Sequence, residues 1–191
     1  MDTPMPVLRV LLIEDNPGDA RLVQVALADQ APGKFAVTTV ERLAHALARI
    51  DAEPFDAILC DLGLPDSAGL ATAQAVAARA PALPLVVLTG TYNQVLGREA
   101  IGLGAQDYLI KGESSSALIA RTLRYAIERQ RLESALRAAN ESLEQRVAER
   151  TAELEKTSRS MRENEVRLRE RVKELQCLYA VSALAAGADK S

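Results

Sequence analysis

Cysteine is scarce in this chain of 191 residues: Cys60 and Cys177 are all it has, too few for a disulfide framework and wrongly spaced for a metal site. Cys60 reads as a small packed apolar residue. Long hydrophobic runs are missing as well. Val7 to Ile13 is interrupted by Arg9 and closes on Glu14 and Asp15, which excludes a signal peptide. No run approaches the ~18 apolar residues of a membrane span. These absences predict a soluble protein of a reducing, cytoplasmic compartment with no membrane contact. Nor is there an excess of positive charge. Net charge is −3, with 8 Lys+Arg against 13 Asp+Glu in residues 1–112 (net −5) and 15 against 13 in residues 113–191 (net +2). The second part is denser in charge but mixed in sign, the composition of a solvated helix rather than a nucleic-acid-binding arm. It is also nearly free of chain breakers. Pro84 is the last proline, and Gly187 is the only glycine after Gly112.

The first 112 residues alternate between two periods. VLRVLLI (7–13), FAVTTV (35–40), DAILC (56–60), LPLVVL (83–88) and DYLI (107–110) are short and almost continuously apolar, the pattern of strands covered on both faces. Between them lie helical stretches. Asp19 is placed to cap the first and Ser67 the third, while residues 41–50 and 94–103 are amphipathic. Pro32-Gly33, Glu53-Pro54, Ala80-Pro81 and Gly102 to Gly104 mark boundaries. Five βα units predict an α/β fold, a doubly wound five-stranded parallel sheet of order 2-1-3-4-5.

Polar residues collect where these strands end. Glu14 and Asp15 follow the first strand, Asp61 the third, Thr89 the fourth and Lys111 the fifth. A single acid after a strand is ordinarily a turn residue, and a single lysine there is ordinarily solvated. Five such residues at the carboxyl edge of one parallel sheet form a candidate site. Three clustered carboxylates repel one another unless a cation joins them, and Mg²⁺ suits oxygen ligands that leave room for water. A carboxylate can serve as nucleophile toward a phosphoryl group, with a lysine and a hydroxyl to receive its oxygens. The chemistry that fits is aspartyl phosphorylation.

The motifs LLIEDN (11–16), CDLGLPDSAG (60–69), VVLTG (86–90) and GAQDYLIKG (104–112) occur in the order found in a known family. Residues 7–125 resemble the receiver domain of two-component response regulators, whose flavodoxin-like fold matches the order above. The resemblance implies that Asp61 is the phospho-acceptor. It implies that Glu14, Asp15, Asp61 and the backbone carbonyl of Gly63 hold Mg²⁺, with Asp15 the direct ligand of the acidic pair. Thr89 and Lys111 would bind the phosphoryl group, and Thr89 and Tyr108 would form the switch. A phosphodonor histidine kinase is the implied partner. Two departures from the family pattern stand out: the pair is Glu-Asp rather than Asp-Asp, and Gly112 follows Lys111 where many receivers carry proline. An aspartyl-phosphate hydrolase of the haloacid dehalogenase type is disfavoured, because Gly63 stands where its general acid belongs.

Beyond Ser116 the period becomes sevenfold. Val147, Leu154, Met161, Leu168 and Leu175 form one row, and Thr151, Ser158, Glu165, Val172 and Tyr179 its companion. Leu132, Leu136, Ala139 and Leu143 precede them, and steps of four around Leu143 to Thr151 resemble a stutter. Residues 118–182 as one helix would reach roughly 100 Å at ~1.5 Å per residue. The apolar stripe predicts a parallel homodimeric coiled coil. The expected organisation is a receiver core (1–115), a continuous last helix and coil (116–182), and a tail (183–191) that leads toward an output domain. No histidine follows His45, so the helix holds no sensor-kinase dimerisation domain, and no nucleic-acid-binding unit is visible. The leading expectation is a non-enzymatic phosphorelay module. The alternative is an unphosphorylated dimeric scaffold, or protein-interaction module, of the same fold.

Overall fold

The computed structural model describes residues 7–30, 34–90 and 94–188. The Pro32-Gly33 turn, the side chains of Cys177 and Tyr179, and the end of the tail at 189–191 lie outside the described residues. The first unit, Met1–Leu136, runs β1 (Leu8–Ile13), α1 (Pro17–Gln30), β2 (Phe35–Val40), α2 (Leu43–Ala52), β3 (Ala57–Asp61), a two-residue hairpin pair β4 (Gly63–Leu64) and β5 (Ser67–Ala68), α3 (Leu70–Arg79), β6 (Leu85–Thr89), α4 (Gln94–Gly102), β7 (Asp107–Ile110) and the start of α5 (Ser116–Ala188). The main sheet has the order β2-β1-β3-β6-β7, all pairs parallel. With the hairpin strands set aside, this is the expected 2-1-3-4-5.

The alternation of strand side chains builds a core on each face of the sheet. Val10 and Leu12 of β1 pack with Val23 and Leu27 of α1 and with Leu123 and Ile127 of α5. Their neighbours Leu11 and Ile13 point the other way, toward Ala46 of α2, Val76 of α3 and Ala100 of α4. Val10 through Ile13 and Ala57 through Cys60 are all fully buried, which explains their lack of polar interruption. Cys60 packs as an apolar residue, and burial pushes its thiol pKa up.

Local detail departs from expectation at two helix starts, and a third has a cap that no expectation named. The cap of α1 is Asn16 rather than Asp19: its Oδ1 accepts from the amides of Gly18 at 2.8 Å and Asp19 at 3.3 Å, with Pro17 at the first helical position. Ser67 does not cap α3. It sits in β5 and shares a 2.7 Å hydrogen bond with the Thr72 hydroxyl, while Gly69, at φ 64°, leads into the helix. The start of α2 is capped from a distance by Asp66, which accepts from the amides of Leu43 at 2.9 Å and Ala44 at 3.0 Å. Those bonds hold the Asp66 carboxyl below its usual range. Gly112 has φ 79°, a conformation closed to proline, so the loop after Lys111 is built for glycine.

The second unit, Arg137–Ser191, is helical through Ala188. Leu143, Val147, Leu154, Met161, Leu168, Val172 and Leu175 are all exposed there, as are Leu132 and Leu136 just before it. Pairs such as Arg169–Glu165 at 2.7 Å and Arg150–Glu153 at 2.8 Å support the helix locally. No helix among the described residues is long and apolar enough to cross a membrane.

Candidate functional site

Parallel register carries the candidate residues to one edge. Ile13 pairs with Cys60, Asp61 with Leu88, and Thr89 with Ile110, so the four strands end side by side. Asp61 and Thr89 are the last residues of β3 and β6 rather than loop residues, which fixes their backbones in the ladder. The Glu14 amide donates to the Val40 carbonyl at 2.9 Å, and the Lys111 amide to the Thr89 carbonyl at 2.8 Å. The side chains of Glu14, Asp61, Thr89 and Lys111 therefore leave from backbone held by the sheet or its edge.

Lys111 is the centre of the cluster. Its Nζ lies 2.7 Å from Asp61 Oδ2, 2.7 Å from Glu14 Oε2 and 2.9 Å from Glu14 Oε1. Asp19 Oδ2 is 3.2 Å away. Burial works against the ammonium, but the hydrogen bonds and charges of Asp61 and Glu14 outweigh it and push the Lys111 pKa up. Glu14 is 1 % exposed. Burial drives its carboxyl pKa upward, and the Lys111 hydrogen bond and charge offset only part of that rise. Lys111 thus keeps its charge among acids, and Glu14 is an acid held at a cost.

Oxygen atoms of Glu14, Asp15 and Asp61 all lie within 4.8 Å of one another. Three carboxylates at that spacing against one lysine leave a surplus of negative charge. An all-oxygen set of this kind fits a hard divalent cation that keeps part of its water shell. Gly63 is adjacent: a Cβ built on it would come 3.8 Å from Asp61 Oδ2. A cleft of about 480 Å³ opens beside Asp61, bordered by Gly63, Thr89, Gly90 and Lys111. Thr89 is 2 % exposed, and its Oγ1 has no hydrogen-bond partner among the described residues. A buried hydroxyl left that way is costly unless something else engages it.

Tyr108 stands apart from the charges. It is half-buried on the α2-α3-α4 face, its ring against Gly97 of α4 and near the Thr89 methyl. All the residues expected at the sheet edge are therefore together, with Tyr108 one layer away behind Thr89. Asp19, Asp66 and Gly97 were not anticipated in these roles. The sequence places Asp19 as a cap, yet its position four residues after Asp15 on the entering helix puts it within reach of the edge. Asp66 and Gly97 depend on tertiary approach and leave no local signal.

The family model described as Response regulator receiver domain matches residues 10–123. The acid tolerance regulatory protein ActR of Rhizobium meliloti (strain 1021) is 32% identical over 124 residues, 65% of this chain and 62% of that protein. The chain thus spans about three fifths of that relative's length. A sensor protein from Polaromonas sp. JS666 superposes with a TM-score of 0.57 at 27% identity, covering 65% of this chain and 99% of that one. NtrX from Brucella abortus shares the fold, with a TM-score of 0.62 at 23% identity over 70% of this chain and 29% of its own. The sheet order, the acids at its carboxyl edge and the extent of the match lead to one assignment: this chain belongs to the response regulator receiver domain family.

Proposed function

We propose that this receiver takes a phosphoryl group on Asp61 from a histidine kinase and passes the change along α5 as a dimer. The observation that carries the reading is the placement of Lys111 Nζ 2.7 Å from Asp61 Oδ2, with the Glu14 and Asp15 oxygens within 4.8 Å and an open cleft beside them. An Asp61 carboxylate oxygen attacks phosphorus, the P–N bond of the donor phosphohistidine breaks, and the imidazole leaves with a proton. Glu14, Asp15, Asp61 and the Gly63 carbonyl are the residues to hold Mg²⁺, with Asp15 the direct ligand of the pair. Bound there, the ion supplies positive charge to the phosphoryl oxygens. Lys111 contributes a second positive charge to the same oxygens, and the Thr89 hydroxyl, unpartnered among the described residues, donates to one of them.

Phosphorylation adds close to two negative charges at Asp61. Thr89 turns toward them, and Tyr108 follows because its ring and the Thr89 methyl both border position 97 of α4. The route onward is α5, whose first turns pack on the sheet through Ile119, Leu123 and Ile127. We assign residues 1–115 to the receiver core, 116–182 to a helix that pairs in parallel with a second copy, and 183–191 to a tail leading to an output domain of a longer protein. The seam is Leu136, Leu143, Val147, Leu154, Met161, Leu168, Val172, Leu175 and Tyr179. The stutter and the polar positions Ser158 and Glu165 weaken any single register and make the coil adjustable. The protein is a cytoplasmic signalling module rather than an enzyme acting on a metabolite. The test is intact mass after incubation with Mg²⁺ and acetyl phosphate. A single phosphate adduct, lost in Asp61→Asn, is expected. No adduct, together with no binding of beryllofluoride, would leave a dimeric scaffold as the function.

A further inference from the structure

Gly97 lies inside α4, where glycine is a poor choice. Its backbone is helical, so no left-handed conformation calls for it, and alanine at such a site ordinarily raises the folding constant about fivefold. The reason is the neighbour. A Cβ on Gly97 would sit 2.7 Å from Cδ2 and 2.8 Å from Cγ of Tyr108, and 3.2 Å from Cγ2 of Thr89. Contacts this short are well inside van der Waals separation. Cγ is the root of the ring, not the tip of a flexible chain, so relief requires a different χ1 or a shift of the helix.

We propose that Gly97 is a positioning residue: its missing Cβ forms the slot that seats the Tyr108 ring against Thr89, and so ties α4 to the end of β6. The proposal rests on the reading of Thr89 and Tyr108 as the pair that responds to Asp61. It adds the part of α4 that decides where the ring rests. A side chain at position 97 evicts the ring and uncouples α4 from Thr89, although the atoms nearest to it belong to Tyr108 and Thr89 rather than to the acids or Lys111.

The test uses the full chain carrying 3-fluorotyrosine, with the Tyr108 fluorine resonance assigned by its loss in Tyr108→Ala. In Gly97→Ala that resonance shifts while the other tyrosine resonances stay in place. The folding constant of Gly97→Ala falls in the wild-type background and rises about fivefold in the Tyr108→Ala background. A Gly97→Ala chain that does not fold, beside a folded double variant, supports the same conclusion. An unmoved resonance, a rise in both backgrounds, or a double variant that also fails to fold overturns it. Titration with beryllofluoride and Mg²⁺ separates this proposal from the site reading. Gly97→Ala alters the apparent affinity at least threefold, and the change disappears in the Tyr108→Ala background. Absence of any beryllofluoride binding to the wild type defeats the site reading, while the fluorine and folding measurements still decide the role of Gly97.

Discussion

Replacing Lys111 by methionine removes a cation from a nest of acids while keeping most of its stem. Its ammonium contacts Glu14 and Asp61, whose side chains are 0% and 13% exposed. Removing one partner of a buried pair typically costs ~3–5 kcal/mol. Lys111 itself retains 21% exposure, so water screens part of the loss. We therefore expect ~2–3 kcal/mol of destabilisation at pH 7. The deficit has a definite pH course. Burial already raises the Glu14 pKa above its usual value of 4.5, and losing Lys111 raises it further. A carboxyl raised on folding carries no penalty below its unfolded pKa. The penalty grows as pH rises from there and is complete above the folded pKa. The gap between Lys111→Met and wild type is accordingly wider at pH 7 than at pH 5. A divalent cation narrows it as far as the variant, freed of the lysine charge, binds the ion more tightly than wild type: a tenfold gain in affinity returns ~1.4 kcal/mol at saturating Mg²⁺. Urea unfolding at both pH values, with and without Mg²⁺, measures all three terms. A Lys111→Met protein within ~0.5 kcal/mol of wild type under every condition, the range of an ordinary surface change, refutes the electrostatic reasoning.

The remaining expectations concern other parts of the chain. Asp66→Ala destabilises the protein at neutral pH by uncapping α2. Because the folded Asp66 pKa is depressed, its contribution is complete above the unfolded value near ~3.9 and disappears as pH falls through the folded value; a stability difference that persists unchanged at the acid end contradicts the capping role. In a Cys177→Ser background, Cys60 resists a thiol reagent such as Ellman's at pH 8 until the chain is unfolded, since it is 0% exposed and its thiol pKa is raised; rapid labelling of the native protein argues against the packed strand. Leu154→Ala weakens the proposed dimer by ~3 kcal/mol, roughly a hundredfold in dissociation constant. Analytical ultracentrifugation reads this directly, and a wild-type chain that sediments as a monomer at high concentration removes the coil.

The sheet and its edge were legible because they are written in short-range pattern. The apolar runs at 7–13 and 83–88 need two buried faces, which the inner strands of a parallel sheet provide. Once the sheet is parallel, residues at the ends of successive strands must share an edge, so Glu14, Asp61, Thr89 and Lys111 could be grouped without coordinates. Helix starts were less legible because several groups compete for the same amides. Asn16 outcompetes Asp19 at α1, and Asp66 reaches α2 across 23 positions of sequence to bond Leu43, which no local window contains. The slot at Gly97 is hidden for a related reason. A glycine in a helix reads as a weak point until the ring of Tyr108 is placed against it. The period of seven was visible in the sequence, and its described apolar side chains from Leu136 to Leu175 are exposed, but a period does not itself supply a second chain.

The most direct test is to locate the covalent bond. After incubation with Mg²⁺ and acetyl phosphate, borohydride reduction converts an aspartyl phosphate into homoserine, and peptide sequencing by mass identifies its position. Homoserine at position 61, at no other acid and absent without the phosphodonor, is the expected result. Homoserine at position 15 instead, or a protein that gains phosphate yet yields none at position 61, contradicts the assignment of Asp61 as the acceptor.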